Sequence, residues 1–363
     1  LPISLANRSS INVRSGVQRM FGSRIFGKPF TITEFNHAAP DVFRAEGGIV
    51  TGAYAALQGW NGLYRFAYSH HAYRLMKPHA MNFFDTAHDP IGMIGDRIGA
   101  IILLRGDVKE SEITIPCLVP EDYMRDPAGL KDQPSHAINN VGLFAKTGSV
   151  LWKAGASLPE NTIAVMGVGK PVKTGVPYFS IEKADAFEKI VKAGLVKENK
   201  GSITSSTGEL EINSSAGYFK MRSPRSEGCV LPGKMDFKGN FMQVVNKNGF
   251  VVLFATSLDG KELKNSRRIL LAHMTDVQNN KTKFRDKRMN ILESDGELPL
   301  LAKRGNAEIT LNTGNGDKTE IWAINLDGSR ISQVKTQATS NGIAFTADTF
   351  AFKQPVFLYE LTR

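Results

Sequence analysis

Glu34 sits at the end of a short run, Pro29-Phe30-Thr31-Ile32-Thr33-Glu34-Phe35-Asn36-His37, in which strand formers lead into a carboxylate and then two polar side chains. Thr, Ile and Phe favour extended backbone, and Pro29 and Pro40 bound the run to one strand. A carboxylate at the tip of such a strand is costly to bury unless it is paired or used. Ionised, it is a nucleophile. Further on, Gly62-Leu63-Tyr64-Arg65-Phe66-Ala67-Tyr68 reads as a second strand that opens onto Ser69, His70 and His71. The ring of Tyr68 offers a flat apolar face and His70 a hydrogen-bonding imidazole. Each has a plainer reading: Tyr68 as core, His70 as merely exposed, and Asn36 and His37 as loop caps.

The elements that must position these groups are legible around them. Arg44 to Gln58 reads as a helix between the two strands. A strand, a helix and a second strand, with functional groups after both strands, is the pattern of a βα-barrel rim. Before it, Val13, Val17, Met20 and Phe21 fall near helical spacing over 11–21, and Gly22 can end that helix. After it, Asp89-Pro90 is a helix start, and Ile91, Ile94, Ile98, Ile101 and Ile102 form an apolar face up to Arg105-Gly106, a C-terminal stop.

The run from Phe30 to Ser69, with Thr33-Glu34-Phe35-Asn36, Arg44-Ala45-Glu46-Gly47-Gly48, Ala53-Tyr54-Ala55-Ala56-Leu57-Gln58-Gly59-Trp60 and Phe66-Ala67-Tyr68-Ser69, resembles the end of a retaining glycoside hydrolase barrel. The family is the large (β/α)8 clan of β-galactosidase-like and cellulase-like enzymes with the nucleophile on the seventh strand. Gly217-Tyr218-Phe219, Ser223-Pro224-Arg225, Ser257-Leu258-Asp259-Gly260 and Arg267-Arg268-Ile269-Leu270-Leu271 are similar to runs in β-domains appended to bacterial members. The resemblance implies that Glu34 is the nucleophile and that Asn36, His37, Tyr68 and His70 contact substrate. It implies no cofactor. Trp60 precedes the second strand, so it reads as a packing residue and not as the sugar platform that relatives place after the eighth strand.

The same resemblance implies an incomplete pair. Eight strand-helix units need about 250 residues, so with Glu34 on the seventh strand six strands would lie before residue 1. The family's acid/base follows an Asn on the fourth strand, and no matching Asn-Glu occurs before Glu34; Asn290-Ile291-Leu292-Glu293 lies in a β-rich region and does not fit. The expectation is therefore a glycosidase once completed, with this chain alone inactive. The alternative is a non-catalytic carbohydrate-binding or accessory β-domain protein. A homo-oligomer or a missing N-terminal barrel segment would cover the open strands. A polysaccharide substrate implies a secreted or periplasmic protein.

Composition sets the wider limits. A chain of 363 residues, 42% hydrophobic and 22% charged, suits two or three globular domains. The expected class is α+β, multi-domain: 1–107 as the C-terminal strands and helices of a (β/α)8 barrel, 108–200 as a mixed linker or insertion region, and 201–363 as antiparallel β-sandwich. In the middle part a strand is expected over Glu112-Ile113-Thr114-Ile115-Pro116 and an amphipathic helix over 181–194, with Phe187, Ile190 and Val191 inward. Beyond Gly201, strands such as Phe250-Val251-Val252-Leu253-Phe254 alternate with the turn pairs Asp259-Gly260, Asn315-Gly316 and Asp327-Gly328.

Several other functions lack support. No apolar run is long enough to span a bilayer. The net charge of +10 is spread out, and the one cluster, Lys281, Lys283, Arg285, Lys287 and Arg288, is interleaved with Asp276 and Asp286; no recognition module with stacking aromatics at defined spacing is visible, so no nucleic-acid partner is expected. Attraction to an acidic glycan is the weaker functional reading of that charge. His70, His71, His79 and His88 lack metal-ligand spacing, so no metal is expected. Gly167-Val168-Gly169-Lys170 is followed by Pro171 and not by Ser or Thr, which argues against a phosphate loop. Cys117 and Cys229 read as two unrelated buried thiols.

Overall fold

The computed structural model describes every residue except 1, 6, 14–15, 126–135, 169–170, 183–184 and 315–317. Strand Thr31–Phe35 (β1), helix Glu46–Gln58 (α1), strand Gly62–Arg65 (β2) and helix Pro90–Arg105 (α2) follow one another as the sequence pattern requires. β1 and β2 are parallel, with Thr31 opposite Gly62 and Ile32 opposite Leu63. Among the described residues this sheet has two strands, so no closed barrel is formed. Asp89 caps α2 by accepting from the Ile91 N–H, Pro90 occupies the first turn, and Gly106 ends the helix in the left-handed region at φ 62°.

Glycine sets the contact between the two helices. A Cβ built on Gly48 would lie 1.9 Å from the Gly95 carbonyl oxygen, and one on Gly52 would lie 2.7 Å from the Gly99 Cα. The backbones of α1 and α2 can meet this closely only because neither position carries a side chain. The rest of α1 is buried almost all round, from Ile49 to Gln58.

These helices lie on one face of a ten-stranded antiparallel sheet. Alternation along the sheet decides which side chains serve which layer. Phe219, Met221, Val230, Val252, Phe254, Ala272 and Met274 join the helices in one core. Their neighbours Cys229, Leu231, Val251, Leu253, Ile269 and Leu271 face a five-stranded antiparallel sheet and form a second core with Phe237, Ile309 and Phe345. The result is helices on sheet on sheet, with a sandwich-like β-rich half. Beyond residue 200 the described residues hold no α-helix, in keeping with the turn-rich sequence. Gly260 and Gly328 take positive φ as their turns require, and Asn315-Gly316 lies outside the described residues.

The middle region is more ordered than its Gly and Pro content implies. Four short parallel strands, in the order Ser149–Trp152, Cys117–Pro120, Val165–Gly167 and Tyr178–Ser180, form a sheet of their own. The strand expected over 112–116 starts instead at Cys117, and Thr114 makes only isolated bridges. The helix expected over 181–194 spans Ala186–Lys192, with Ile190 fully buried and Phe187 and Val191 against the core. The single helix expected over 11–21 is broken by Gly16, at φ 70°, into a turn at Ser10–Val13 and a 3-10 segment at Gly16–Ser23. Cys117 and Cys229 are free and buried, and burial pushes both thiols up to about 12.

Candidate functional site

β1 and β2 run the same way, so their C-terminal tips share one end of the fold. That end carries Glu34, Asn36 and His37 from the first strand and Tyr68 and His70 from the second. Ile32 is buried and Leu63 packs on the helical core, while Thr31, Thr33 and Tyr64 are exposed. One face of the strand pair therefore rests on the helices and the other is open.

Glu34 is exposed and has no hydrogen-bond or ion-pair partner among the described residues. Every other carboxylate up to residue 107 is engaged. Asp41 accepts from the Phe43 N–H, and Glu46 accepts from Ser9 and Ser10. Asp85 holds His70, Asn82 and Arg74, and Asp89 holds Arg44. Asp96 pairs with Arg65, and Asp107 with Arg105 and Arg225. Burial raises Asp41 to about 6 and Glu46 to about 7, against the hydrogen bonds that favour their charged forms.

Asn36 and His37 are drawn into the scaffold. The Asn36 amide donates to the Phe66 and Phe84 carbonyls and so ties the exit of β2 to the far end of its loop. A Cβ on Gly47 would fall 2.3 Å from the His37 ring, which packs on the start of α1. Burial, with Arg65 nearby, lowers the His37 pKa to about 4. Both placements agree with loop-capping roles, and neither side chain is aimed away from the protein as Tyr68 is, with 61% of its surface exposed.

His70 is held differently. Its Nδ1 lies 2.5 Å from Asp85 Oδ1, and its own N–H donates to the same oxygen at 3.0 Å. Asp85 is 2% exposed and also meets Asn82 Nδ2 at 2.9 Å and Arg74 Nε at 3.1 Å. Burial works against the Asp85 charge, but the bonds from His70 and Asn82 outweigh it and hold the carboxyl below its ordinary range. The ring stands edge-on to Phe66 at 5.0 Å and near Phe84 at 6.1 Å. Backbone bonds from Thr86 to Ala67 and from Ala87 to Tyr68 close the two ends of this loop onto each other.

Asp85 and Arg74 were not singled out by sequence. The available signal was the crowding of four of the seven histidines between residues 70 and 88 with one nearby unassigned acid. Trp60 is 5% exposed and packs between Phe21 and Phe30 at 5.9 and 5.2 Å, a core residue as its position before the strand implied. Glu293 lies on a strand and pairs with Arg285. No group of His, Cys, Asp and Glu among the described residues could hold a metal ion, and no helix there is long and apolar enough to cross a membrane. The chain matches no family model, no curated protein and no solved structure.

Proposed function

We propose that this chain is the C-terminal part of a retaining glycoside hydrolase, with Glu34 as its nucleophile. The observation that carries the reading is Glu34 itself: an exposed carboxylate without a partner among the described residues, at the C-terminal tip of a parallel strand whose neighbouring tip presents Tyr68 and His70. Functional residues of βα folds gather at that end of the strands. A carboxylate there attacks the anomeric carbon, forms a glycosyl ester, and yields it to water in a second step. The first step also needs a second carboxyl about 5–5.5 Å away to protonate the leaving oxygen. The other carboxylates up to residue 107 are all engaged in structural bonds, so the acid/base belongs to further strands of the barrel. A polysaccharide substrate implies an exported enzyme.

The non-catalytic alternative, a carbohydrate-binding β-domain, has less behind it. The outer face of the five-stranded sheet presents Gln243, Val245, Glu308, Thr310, Ala344 and Thr346. A sugar-binding face gains most from exposed aromatic rings, and apart from Phe350 the exposed rings among the described residues gather instead around β2 and the loop after it: Tyr64, Phe66, Tyr68, Tyr73 and Phe84.

The test is covalent trapping in the full-length protein with an activated 2-fluoro glycoside. Label is expected on Glu34 and absent from Glu34→Gln, whose turnover falls by about three orders of magnitude or more. Label on another carboxylate, or full activity in the Glu34→Gln enzyme, overturns the assignment.

A further inference from the structure

We infer that the loop from Phe66 to His88 forms a subsite for an anionic sugar, a uronate or a sulfate ester, with His70 as its contacting group and Asp85 as the residue that positions it. The inference rests on the glycosidase reading and names the substrate class of that site. Across 66–88 the chain places Arg74, Lys77 and four histidines against a single acid, Asp85. Asp89, the next acid, is taken up by Arg44. Lys77, His70 and His71 are exposed, and Tyr68 and Tyr73 stand out beside them at 61% and 60% exposure. Rings for stacking and cations for charge thus share one surface, and opposite charge on the ligand is what such a surface selects.

The geometry of His70 makes this more than a basic patch. Asp85 engages Nδ1, so the donor proton on that nitrogen points inward and Nε2 is left as the group that faces out. Nε2 has no partner among the described residues. Asp85 is fixed in turn by Asn82 and Arg74, and Arg74 is anchored through the Ala80 carbonyl. Phe66 and Phe84 wall the ring. With Nδ1 held by Asp85, Nε2 is the atom through which the protonated ring donates to an oxyanion. A neutral hydroxyl gains less from the same donor.

Digalacturonate and galactobiose share a galacto-configured disaccharide skeleton and differ in charge, so they serve as probes. Histidine ring signals of the chain, labelled with 15N, are followed by NMR as each sugar is added. Digalacturonate is expected to move the His70 signals, and galactobiose to leave them in place. His70→Gln should weaken digalacturonate binding about tenfold, while Lys247→Gln, whose side chain pairs with Glu308 on the five-stranded sheet, should not. Asp85→Asn should change the His70 tautomer signature and weaken binding with it, a change that a purely structural role for Asp85 does not produce in a folded variant. Equal response to both sugars, response to neither, or unaltered binding in His70→Gln overturns the anionic subsite. Trapping at Glu34 with those outcomes leaves the glycosidase intact and removes this inference alone.

Discussion

At the scale of single residues, the chain separates groups kept for structure from groups left free. Glu34 and Glu46 are both carboxylates in the same strand–helix unit, yet Glu46 is 1% exposed under the hydroxyls of Ser9 and Ser10 while Glu34 stands open. Sequence gave Glu46 a place at the helix start and Glu34 the tip of the strand, and both positions hold. What it could not give was the partner of His70, because Asp85 lies fifteen residues away across a loop whose path depends on tertiary contacts. His273 was equally silent. It is fully buried in a strand, both ring nitrogens lack partners among the described residues, and burial lowers its pKa to about 4. An unfolded histidine takes up a proton near pH 6.5, so between about 6.5 and 4 the unfolded state binds more protons than the folded one. Stability from this group is present above 6.5 and is lost as pH falls through 4, by about 3 kcal/mol in total. His273→Leu should remove that loss, so its melting temperature should fall less than the wild type's between pH 7 and 4. Parallel falls in the two proteins would refute the assignment.

At the scale of elements, β1, α1, β2 and α2 were legible because each carries its own boundary chemistry: Pro29 before the first strand, Gly59 and Gly106 after the helices, Asp89-Pro90 at the second start. The parallel sheet between Cys117 and Ser180 was not legible, since strands of three or four residues between prolines are too short to show a period. The contact of α1 with α2 was hidden for another reason: glycines inside a helix read as weak spots, and only the packing shows their use. Here two substitutions of the same kind should act in opposite directions. Gly48→Ala drives a methyl into the Gly95 carbonyl and should cost about 1–3 kcal/mol or more. Gly95→Ala meets nothing closer than the Gly48 nitrogen at 3.8 Å, and the gain in helix propensity should make it neutral or stabilising by up to about 1 kcal/mol. Chemical denaturation of the two variants measures both signs, and equal costs would mean that the helices do not meet at Gly48.

At the scale of the whole molecule, one buried ion network joins the helical part to the β-rich part. Arg44 meets Asp89 at 2.8 Å and Asp276 at 2.6 Å, and its guanidinium also donates to the Val277 and Asp41 carbonyls. Burial opposes its charge, and the two carboxylates more than offset that and raise its pKa. Arg44→Met would leave two carboxylates buried without their cation, a change that costs about 3–5 kcal/mol. The expected result in denaturant is a large loss of stability with the β-rich part least affected; a loss under about 1 kcal/mol would show that the network is not what couples them.

The strand pair itself gives the remaining expectation at this scale. Neither β1 nor β2 pairs with a further strand among the described residues, so each leaves its outer backbone groups unmatched within the sheet. Parallel strands are ordinarily covered on both faces and flanked by neighbours, and an open edge is a template for another chain. Here the open face carries Tyr64 at 59% exposure, and Leu104 on the adjoining helix stands at 84%. The chain on its own should therefore associate as concentration rises, through this surface. Analytical ultracentrifugation should show a concentration-dependent increase in mass, and Tyr64→Lys with Leu104→Lys should reverse it, because like charges on this surface repel each other and are costly to desolvate. Under the proposed barrel reading, a polypeptide that supplies further strands should abolish the association by covering the same edges. A strictly monomeric chain whose β1 and β2 amides resist hydrogen exchange would mean that two parallel strands suffice here, and the reading of this half as part of a larger barrel would fall with it.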